Sequence, residues 1–197
     1  MLKQIILPSL LALSLGACAT AVPPVEVTRF HIDNPARSGT VVVQEMPGNP
    51  DVGLEFRTYA AAVEQELQRA GFTSAPAAGS DYIALVGFSR SFRDPAYDTR
   101  RGPVSVGVGG GVGSGGFSGV GLGLGINLSG KPKGVVYTEL QVQLRRRSDS
   151  TTIWEGRAMT QAREGSPAAQ PGVSAQKLAS ALIGGYPGES GRTITVK

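Results

Sequence analysis

Cysteine, histidine and aromatic residues are scarce in this 197-residue chain, and their scarcity excludes several classes of protein. The sequence holds one Cys and one His, and aromatic residues make up 6% of it. One Cys excludes an intramolecular disulfide, and one Cys with one His is too few for most zinc sites or for Cys–His catalysis within a single chain. The formal net charge of +4 is too small to indicate a nucleic-acid partner by itself. The length fits one domain with a usable hydrophobic core.

The first apolar run is too short to span a membrane as a helix, and it has the features of a secretory signal. Lys3 provides a positive start, residues 5–15 are mostly apolar, and small residues follow directly. The last four residues of this segment resemble a bacterial lipobox: Leu15, Gly16, Ala17 and Cys18. The chain's only cysteine therefore stands at the position where a lipobox requires one.

A lipobox implies a defined modification and a defined location. The thiol of Cys18 would receive a diacylglyceryl group, the signal would be cleaved before it, and the new amino group would be acylated. Ala19, rather than Asp, follows the cysteine, and by analogy with Gram-negative lipoproteins this implies sorting to the outer membrane, on its periplasmic face. We therefore expect a signal peptide at residues 1–17, a lipidated cysteine with a tether at residues 18–24, and one periplasmic domain at residues 25–197.

Patterns along residues 25–197 predict an α+β domain. Runs rich in β-branched residues predict strands at residues 25–32, 40–44, 81–92, 135–145, 153–160 and 193–196. Helical spacing of apolar residues predicts helices at residues 51–70 and 174–183, the first capped by Asp51 and ended by Gly71, the second capped by Ser174. We expect a mixed, mainly antiparallel sheet with two helices on one face and a Gly-rich β-hairpin extension. Whether the first two strands pair with each other stays open.

Several short segments, in this order, resemble one group of bacterial lipoproteins. The segments are Leu54–Tyr59, Ala70–Phe72, Ser80–Tyr82, Ile153–Gly156 and Tyr186–Gly188. Together with the lipobox and the glycine tract they resemble the proteins grouped as domain of unknown function 4136, over most of residues 25–197. That resemblance implies a lipoprotein of the outer membrane, and the family carries no established enzymatic activity or ligand.

A glycine tract interrupts the domain at about residues 102–130, and its pattern is that of a β-hairpin. Eleven of the nineteen residues from Gly107 to Gly125 are glycine, and apolar residues alternate with them on both sides of a tip at residues 113–119. We call this insertion the Gly-rich hairpin. Its apolar face needs a cover, which would be the domain's own sheet, another copy or lipid. The tract lacks the helix that a nucleotide-binding glycine loop requires, so we predict no cofactor.

Basic residues flank the base of the Gly-rich hairpin. They are Arg90, Arg93, Arg100, Arg101, Lys131 and Lys133, and Arg145, Arg146 and Arg147 end a later strand. One interpretation is a solvated, charged rim that discourages aggregation. The other is a collar, formed by Arg100, Arg101, Lys131 and Lys133, for phosphate-bearing lipid headgroups or another anionic envelope polymer.

Candidate catalytic groups do not form a recognisable set. His31 stands alone in a strand pattern, and Glu64 and Glu66 point in different directions on a helix. Trp154 is interpreted as a core residue that packs on a helix, with Gly156 marking a close approach, against the alternative of a ligand platform. We expect a lipid-anchored, non-enzymatic envelope protein with a structural or interaction role. The alternative is an oligomeric lipoprotein whose Gly-rich hairpins form a membrane-inserted β-structure or pore, and a hydrolase is a third, weaker hypothesis.

Overall fold

Nine strands and two helices make up the part of the chain that the structure, a computed structural model, describes: residues 23–49, 53–94, 104–110, 120–126 and 133–197. In chain order the elements are β1 (Val25–His31), β2 (Gly39–Glu45), α1 (Leu54–Arg69), β3 (Phe72–Ser74), β4 (Tyr82–Arg93), β5 (Val104–Gly110), β6 (Val120–Ile126), β7 (Val135–Arg146), β8 (Thr152–Arg163), α2 (Pro171–Ile183) and β9 (Thr193–Val196).

Seven of these strands form one mixed sheet in the order β3-β2-β4-β7-β8-β1-β9. The pairs β2–β3 and β2–β4 are parallel, and the remaining pairs are antiparallel. The predicted α+β class and the mainly antiparallel sheet are confirmed. β1 and β2 do not pair, because β4, β7 and β8 lie between them.

One face of this sheet carries the hydrophobic core. Alternate residues of β4 and β7 are fully or almost fully buried there, as the period of two predicts: Ala84, Val86, Phe88, Leu140, Val142 and Leu144. α1 and α2 pack on this face and on each other, and they contribute Tyr59, Val63, Leu67, Leu178 and Leu182 to the same cluster. Both helices therefore lie on one face, as expected.

The helix starts differ from the predicted ones. Asp51 lies outside the described residues, and the N-cap of α1 is Gly53, which is extended and gives no side-chain cap. α2 begins at Pro171, where a proline suits the first helical position because its missing N–H is not needed. Ser174 is therefore not a cap but a buried residue inside the helix. Gly71 does end α1 in a positive-φ conformation, at +108°.

β5 and β6 form a separate two-stranded antiparallel sheet. Its register pairs apolar positions with apolar positions, Val106 with Leu124 and Val108 with Leu122, and pairs Gly107 with Gly123. The predicted alternation of the Gly-rich hairpin is thus confirmed for its two arms. The predicted tip at residues 113–119 lies outside the described residues.

Candidate functional site

The start of β1 is the point at which the predicted tether enters the domain, and side chains hold it there. The carbonyl of Pro24 accepts a hydrogen bond from Thr160 Oγ1 at 2.9 Å. The carbonyl of Pro23 accepts a hydrogen bond from the ammonium of Lys177 on α2, and partial burial lowers the pKa of that ammonium. Val25, the next residue in the chain after Pro24, is fully buried. The path of the chain into the domain is therefore fixed from Pro23 onward.

The Gly-rich hairpin leaves the sheet at this same end. Val25 of β1 pairs with Thr160 of β8, and β8 continues beyond that row to Arg163. Arg163 pairs with Val135 of β7, and Val135 pairs with Arg93 of β4. This last row is three residues farther along, or about 10 Å, in the direction in which the tether leaves. Because the hairpin segment follows β4 and precedes β7, the tether and the hairpin share one end of the sheet.

Four residues at this end, which we call the root cluster, combine exposed aromatic rings with basic side chains: Phe92, Arg93, Lys133 and Tyr137. Phe92 is 54% exposed and Tyr137 is 37% exposed. The guanidinium carbon of Arg93 lies 5.6 Å from the centre of the Tyr137 ring, within cation–π range. The ring of Phe92 lies directly over Gly134, where a Cβ would be 2.3 Å from it. Asp94 and Glu164 lie at the same end.

Of the four predicted collar residues, Lys133 is the one that the structure describes, and it is exposed at the sheet end. Arg100, Arg101 and Lys131 lie outside the described residues, as do Cys18 and the rest of the lipobox. Arg90 does not belong to a solvated rim.

Arg90 points to the helix side of the sheet. It forms an ion pair with Glu55 of α1 at 2.7 Å and donates to the carbonyl of Ala169 at 2.7 Å. Its position on β4 places it on the same face as Phe88. Arg90 therefore binds the start of α1 and the loop before α2 to the sheet.

The three arginines at the end of β7 lie at the opposite end of the sheet, and each is bound locally. Arg147 donates to the carbonyl and hydroxyl of Ser80, at 2.8 Å for each, and Arg146 pairs with Asp149 at 2.9 Å. Arg145 donates to the carbonyl of Ser150. They stabilise the β7–β8 turn and its contact with the loop before β4, far from the hairpin.

A buried cation also lies on β1, in the row of Gly156 and Val142 in the interior of the sheet. Arg29 is 5% exposed and donates to the carbonyls of Ala181 and Leu182, at 2.7 and 2.8 Å. These carbonyls are at the C-terminal end of α2, where a helix dipole favours a positive charge. Burial lowers the pKa of the guanidinium from its ordinary value. Arg29 therefore caps α2 and joins it to β1; the sequence pattern contains no signal for this role.

The residues considered for chemistry have structural partners. Trp154 is 1% exposed and donates from Nε1 to the carbonyl of Pro187 at 2.9 Å, so the interpretation as core is confirmed. The ring nitrogens of His31 are 2.7 Å from the carbonyl of Ile32 and 3.1 Å from that of Gly188. Glu66 is buried and pairs with Arg69.

The sheet face opposite the helices is polar and carries a shallow cavity of about 290 Å³, lined in part by Phe30, Met46 and Met159. Its polar side chains bind one another: Arg157 pairs with Glu139 at 3.0 Å, and Gln141 donates to Glu139 at 2.6 Å. Within the described ranges, no group of three or more His, Cys, Asp or Glu could hold a metal ion. None of the described helices is both long and apolar enough to cross a membrane.

Comparison with known proteins gives one relative and several distant structural likenesses. The chain is 37% identical, over an alignment of 219 residues, to "Uncharacterized protein ZMO1243" of Zymomonas mobilis subsp. mobilis, with 90% of this chain and 82% of that protein covered. No family model matches.

Two solved structures illustrate the distant likenesses. A PelC dodecamer from Paraburkholderia phytofirmans is similar with a TM-score of 0.41 and 12% identity, over 81% of this chain and 94% of that one. A PDZ domain protein from Parabacteroides distasonis is similar with a TM-score of 0.47 and 12% identity, over 88% of this chain and 39% of that one. Because these TM-scores are below 0.5, no conclusion rests on them. On the sequence relationship, the chain belongs to the family of the uncharacterized protein ZMO1243 of Zymomonas mobilis.

Proposed function

We propose that this chain is a lipoprotein anchored through Cys18 in the periplasmic leaflet of the outer membrane. In this proposal the α+β domain has a non-enzymatic structural or binding role in the cell envelope. The observation that carries the proposal is the position of the only cysteine, at the end of a lipobox and shortly before the fixed start of β1. Several acyl chains on one residue give a lasting anchor, whereas one chain binds a bilayer only marginally and reversibly.

The geometry of the entry point supports a domain held close to the membrane. From Cys18 to Pro23 there are five residue steps, which can span at most about 18 Å. Pro23 and Pro24 are bound to the domain through Lys177 and Thr160. The sheet end at which β1 starts is therefore the part of the domain that an anchor at Cys18 would keep nearest to the lipid.

The test is metabolic labelling with radioactive palmitate in a Gram-negative host, followed by separation of the inner and outer membranes. The wild-type chain should take up label, lose residues 1–17 and sediment with the outer membrane. Cys18→Ser should remain unlabelled and uncleaved. The matched control Ala19→Ser, one residue away, should behave as the wild type, and Ala19→Asp should move the labelled protein to the inner membrane. An unlabelled wild-type product that keeps residues 1–17 would overturn the proposal.

A second candidate function, self-assembly through the Gly-rich hairpin, is favoured by the register of β5 and β6. Apolar residues are paired with apolar residues across these strands, and among the described residues neither strand pairs with the seven-stranded sheet. A two-stranded ribbon is marginally stable alone. Assembly with the hairpins of other copies would pair its edges and cover its apolar face.

A short-loop variant tests this second candidate. Because Arg93 and Val135 are paired neighbours, the next row joins positions 94 and 134, and residues 95–133 can be replaced by a two-residue Asn-Gly turn without changing the β4–β7 register. The variant should keep the thermal transition of the domain but should sediment as a monomer after extraction in detergent, while the wild type sediments as a larger assembly. A monomeric wild type would eliminate self-assembly and leave lipid anchoring unaffected.

A further inference from the structure

The end of the sheet that carries the tether also carries the most exposed aromatic and basic side chains of β4 and β7. The row containing Phe92 and Val136 lies two residues beyond the row of Val25 and Thr160, or about 7 Å, in the direction in which the tether leaves. Because the tether between Cys18 and Pro23 spans at most about 18 Å, an anchor at Cys18 would hold this end close to the bilayer surface.

We propose that the root cluster, Phe92, Arg93, Lys133 and Tyr137, is a membrane-contact surface that inserts among lipid headgroups and sets the domain upright on the bilayer. This inference rests on the proposed lipid anchor and goes beyond it, since an anchor alone would leave the domain free to tumble at the end of its tether. The occupant of the surface is the lipid bilayer that holds the anchor.

The chemistry of the root cluster fits a headgroup region. Tyrosine has an apolar ring and a polar tip, and such residues prefer the boundary between lipid and water. An exposed Phe92 ring has no polar group to satisfy, so burying it in the acyl boundary removes apolar area from water. The cations of Arg93 and Lys133 are attracted to lipid phosphates, and the stacking of Arg93 on Tyr137 holds both at the surface.

The carboxylates at this end limit the electrostatic part of the contact. Asp94 follows Arg93, and Glu164 hydrogen-bonds through its N–H to the carbonyl of Gly134 at 2.8 Å. These two negative charges offset part of the attraction of the basic residues for an anionic surface, because Arg163, exposed and paired with Val135, adds a further cation at this end. The contact should therefore combine burial of the aromatic rings with a modest attraction that salt weakens.

A pair of fluorescent labels measures the orientation directly. Because lipidation occupies the thiol of Cys18, a single engineered cysteine is unique in the mature chain. Ser91→Cys places a label beside Tyr137, its paired neighbour on the exposed face. Ser148→Cys places one in the turn after β7, which ends at the opposite end of the sheet. Tyr82 of β4 pairs with Arg146, the last residue of β7, and it lies nine residues, or about 30 Å, from Ser91. Both serines are exposed.

The lipidated full chain is reconstituted into vesicles of phosphatidylethanolamine and phosphatidylglycerol that contain a headgroup-region spin-labelled lipid. We expect the label at residue 91 to be quenched several-fold more strongly than the label at residue 148. Equal quenching at the two positions in protein that remains bound to vesicles would overturn the inference and leave the lipid anchor standing. Absence of vesicle binding, with no acyl chains on Cys18, would instead overturn the proposed function.

Substitutions assign the contact to the root cluster. Phe92→Ser combined with Arg93→Gln should lower quenching at residue 91 to the level at residue 148, while the protein stays anchored. Arg146→Gln, at the far end, should change nothing. An unchanged circular dichroism spectrum would exclude unfolding of the variant. The comparison of label quenching at residues 91 and 148 in otherwise wild-type protein does not depend on these substitutions. Quenching that persists in a folded Phe92→Ser, Arg93→Gln variant would show that these two residues do not make the contact.

Discussion

The hydroxyl of Tyr59 on α1 lies 2.9 Å from the hydroxyl of Ser174 on α2, in the buried space between the two helices. Ser174 donates to the carbonyl of Pro171 at 3.1 Å, so the shared hydrogen bond is donated by Tyr59. The Tyr59 ring stacks on Phe88 of β4 with its centre 4.4 Å away. One side chain thus connects both helices and the sheet, and burial is the main reason why the pKa of Tyr59 is raised.

Removing either hydroxyl of this pair should destabilise the domain modestly. We expect Tyr59→Phe and Ser174→Ala each to lower the free energy of unfolding by about 1 kcal/mol, the usual net value of one hydrogen bond. The loss in the double variant should be about 1 kcal/mol smaller than the sum of the two single losses, because the hydrogen bond between the hydroxyls is already gone after the first substitution. Urea unfolding of the three variants measures this coupling. Additive losses would contradict a direct bond between the hydroxyls.

Arg29 should be far less replaceable than an exposed arginine. Arg29→Met leaves the carbonyls of Ala181 and Leu182 without their donors inside the protein, and we expect a loss of about 3 kcal/mol in unfolding free energy. The matched control is Arg192→Met, which removes an exposed pair with Glu189 and should cost less than about 1 kcal/mol. Thermal or urea unfolding of both variants decides the point. Equal losses would mean that Arg29 does not cap α2.

Much of the local structure could be predicted from the sequence because it rests on short-range periodicity. β4 and β7 match the predicted ranges, residues 81–92 and 135–145, to within one residue at each end, and β9 has the predicted bounds, Thr193–Val196. β3 was missed because Phe72–Ser74 is too short to show a period. The neighbours of β1, which are β8 and β9, depend on contacts between distant parts of the chain, and no local pattern reports them.

For the candidate site too, the sequence showed the local pattern but not the contacts between distant residues. The sequence marked Arg90 and Arg93 as similar cations, yet residues three apart on a strand face opposite sides of a sheet, so one binds Glu55 and the other stacks on Tyr137. The β4–β7 register pairs Phe92 with Val136 and Tyr137 with Ser91, so the two rings lie at the same end of the sheet, on opposite faces, around the Gly-rich hairpin. The signal that could have found them is their position as the aromatic residues that end one strand and begin the next around that insertion.

Stability at alkaline pH should depend on Tyr186. Burial, with a smaller contribution from Tyr82, raises the pKa of Tyr186 from 10.0 to about 12. The native state therefore keeps a proton that the unfolded state releases between these values, so the stabilisation is complete below pH 10 and is lost as the pH rises toward 12. The loss is at most about 2.7 kcal/mol.

Unfolding free energies measured across this pH range test the dependence on Tyr186, alongside a near-ultraviolet titration of tyrosinate. Tyr186→Phe should flatten part of the decline and remove one late-titrating group among the chain's five tyrosines. It also removes the hydrogen bond to the carbonyl of Ala36, at 2.7 Å, so its stability should be lower at neutral pH. An unchanged alkaline slope in this variant would assign the decline to other groups.

Substitution by alanine should change the free energy of unfolding in opposite directions at two glycines, one beneath α2 and one in its first turn. A Cβ on Gly156 of β8 would lie 2.7 Å from Leu182 Cδ1 and 2.8 Å from Trp154 Cη2, so Gly156→Ala must displace both the Leu182 side chain and the indole. We expect a loss of about 1–3 kcal/mol, as for other overpacked cores. Gly172, in the first turn of α2, has no atom within 4 Å of such a Cβ, and Gly172→Ala should gain about 0.5–1 kcal/mol from helix propensity. The urea midpoint should fall for Gly156→Ala and rise for Gly172→Ala, and this result would confirm that β8 and α2 touch at Gly156. Midpoints shifted in the same direction would contradict it.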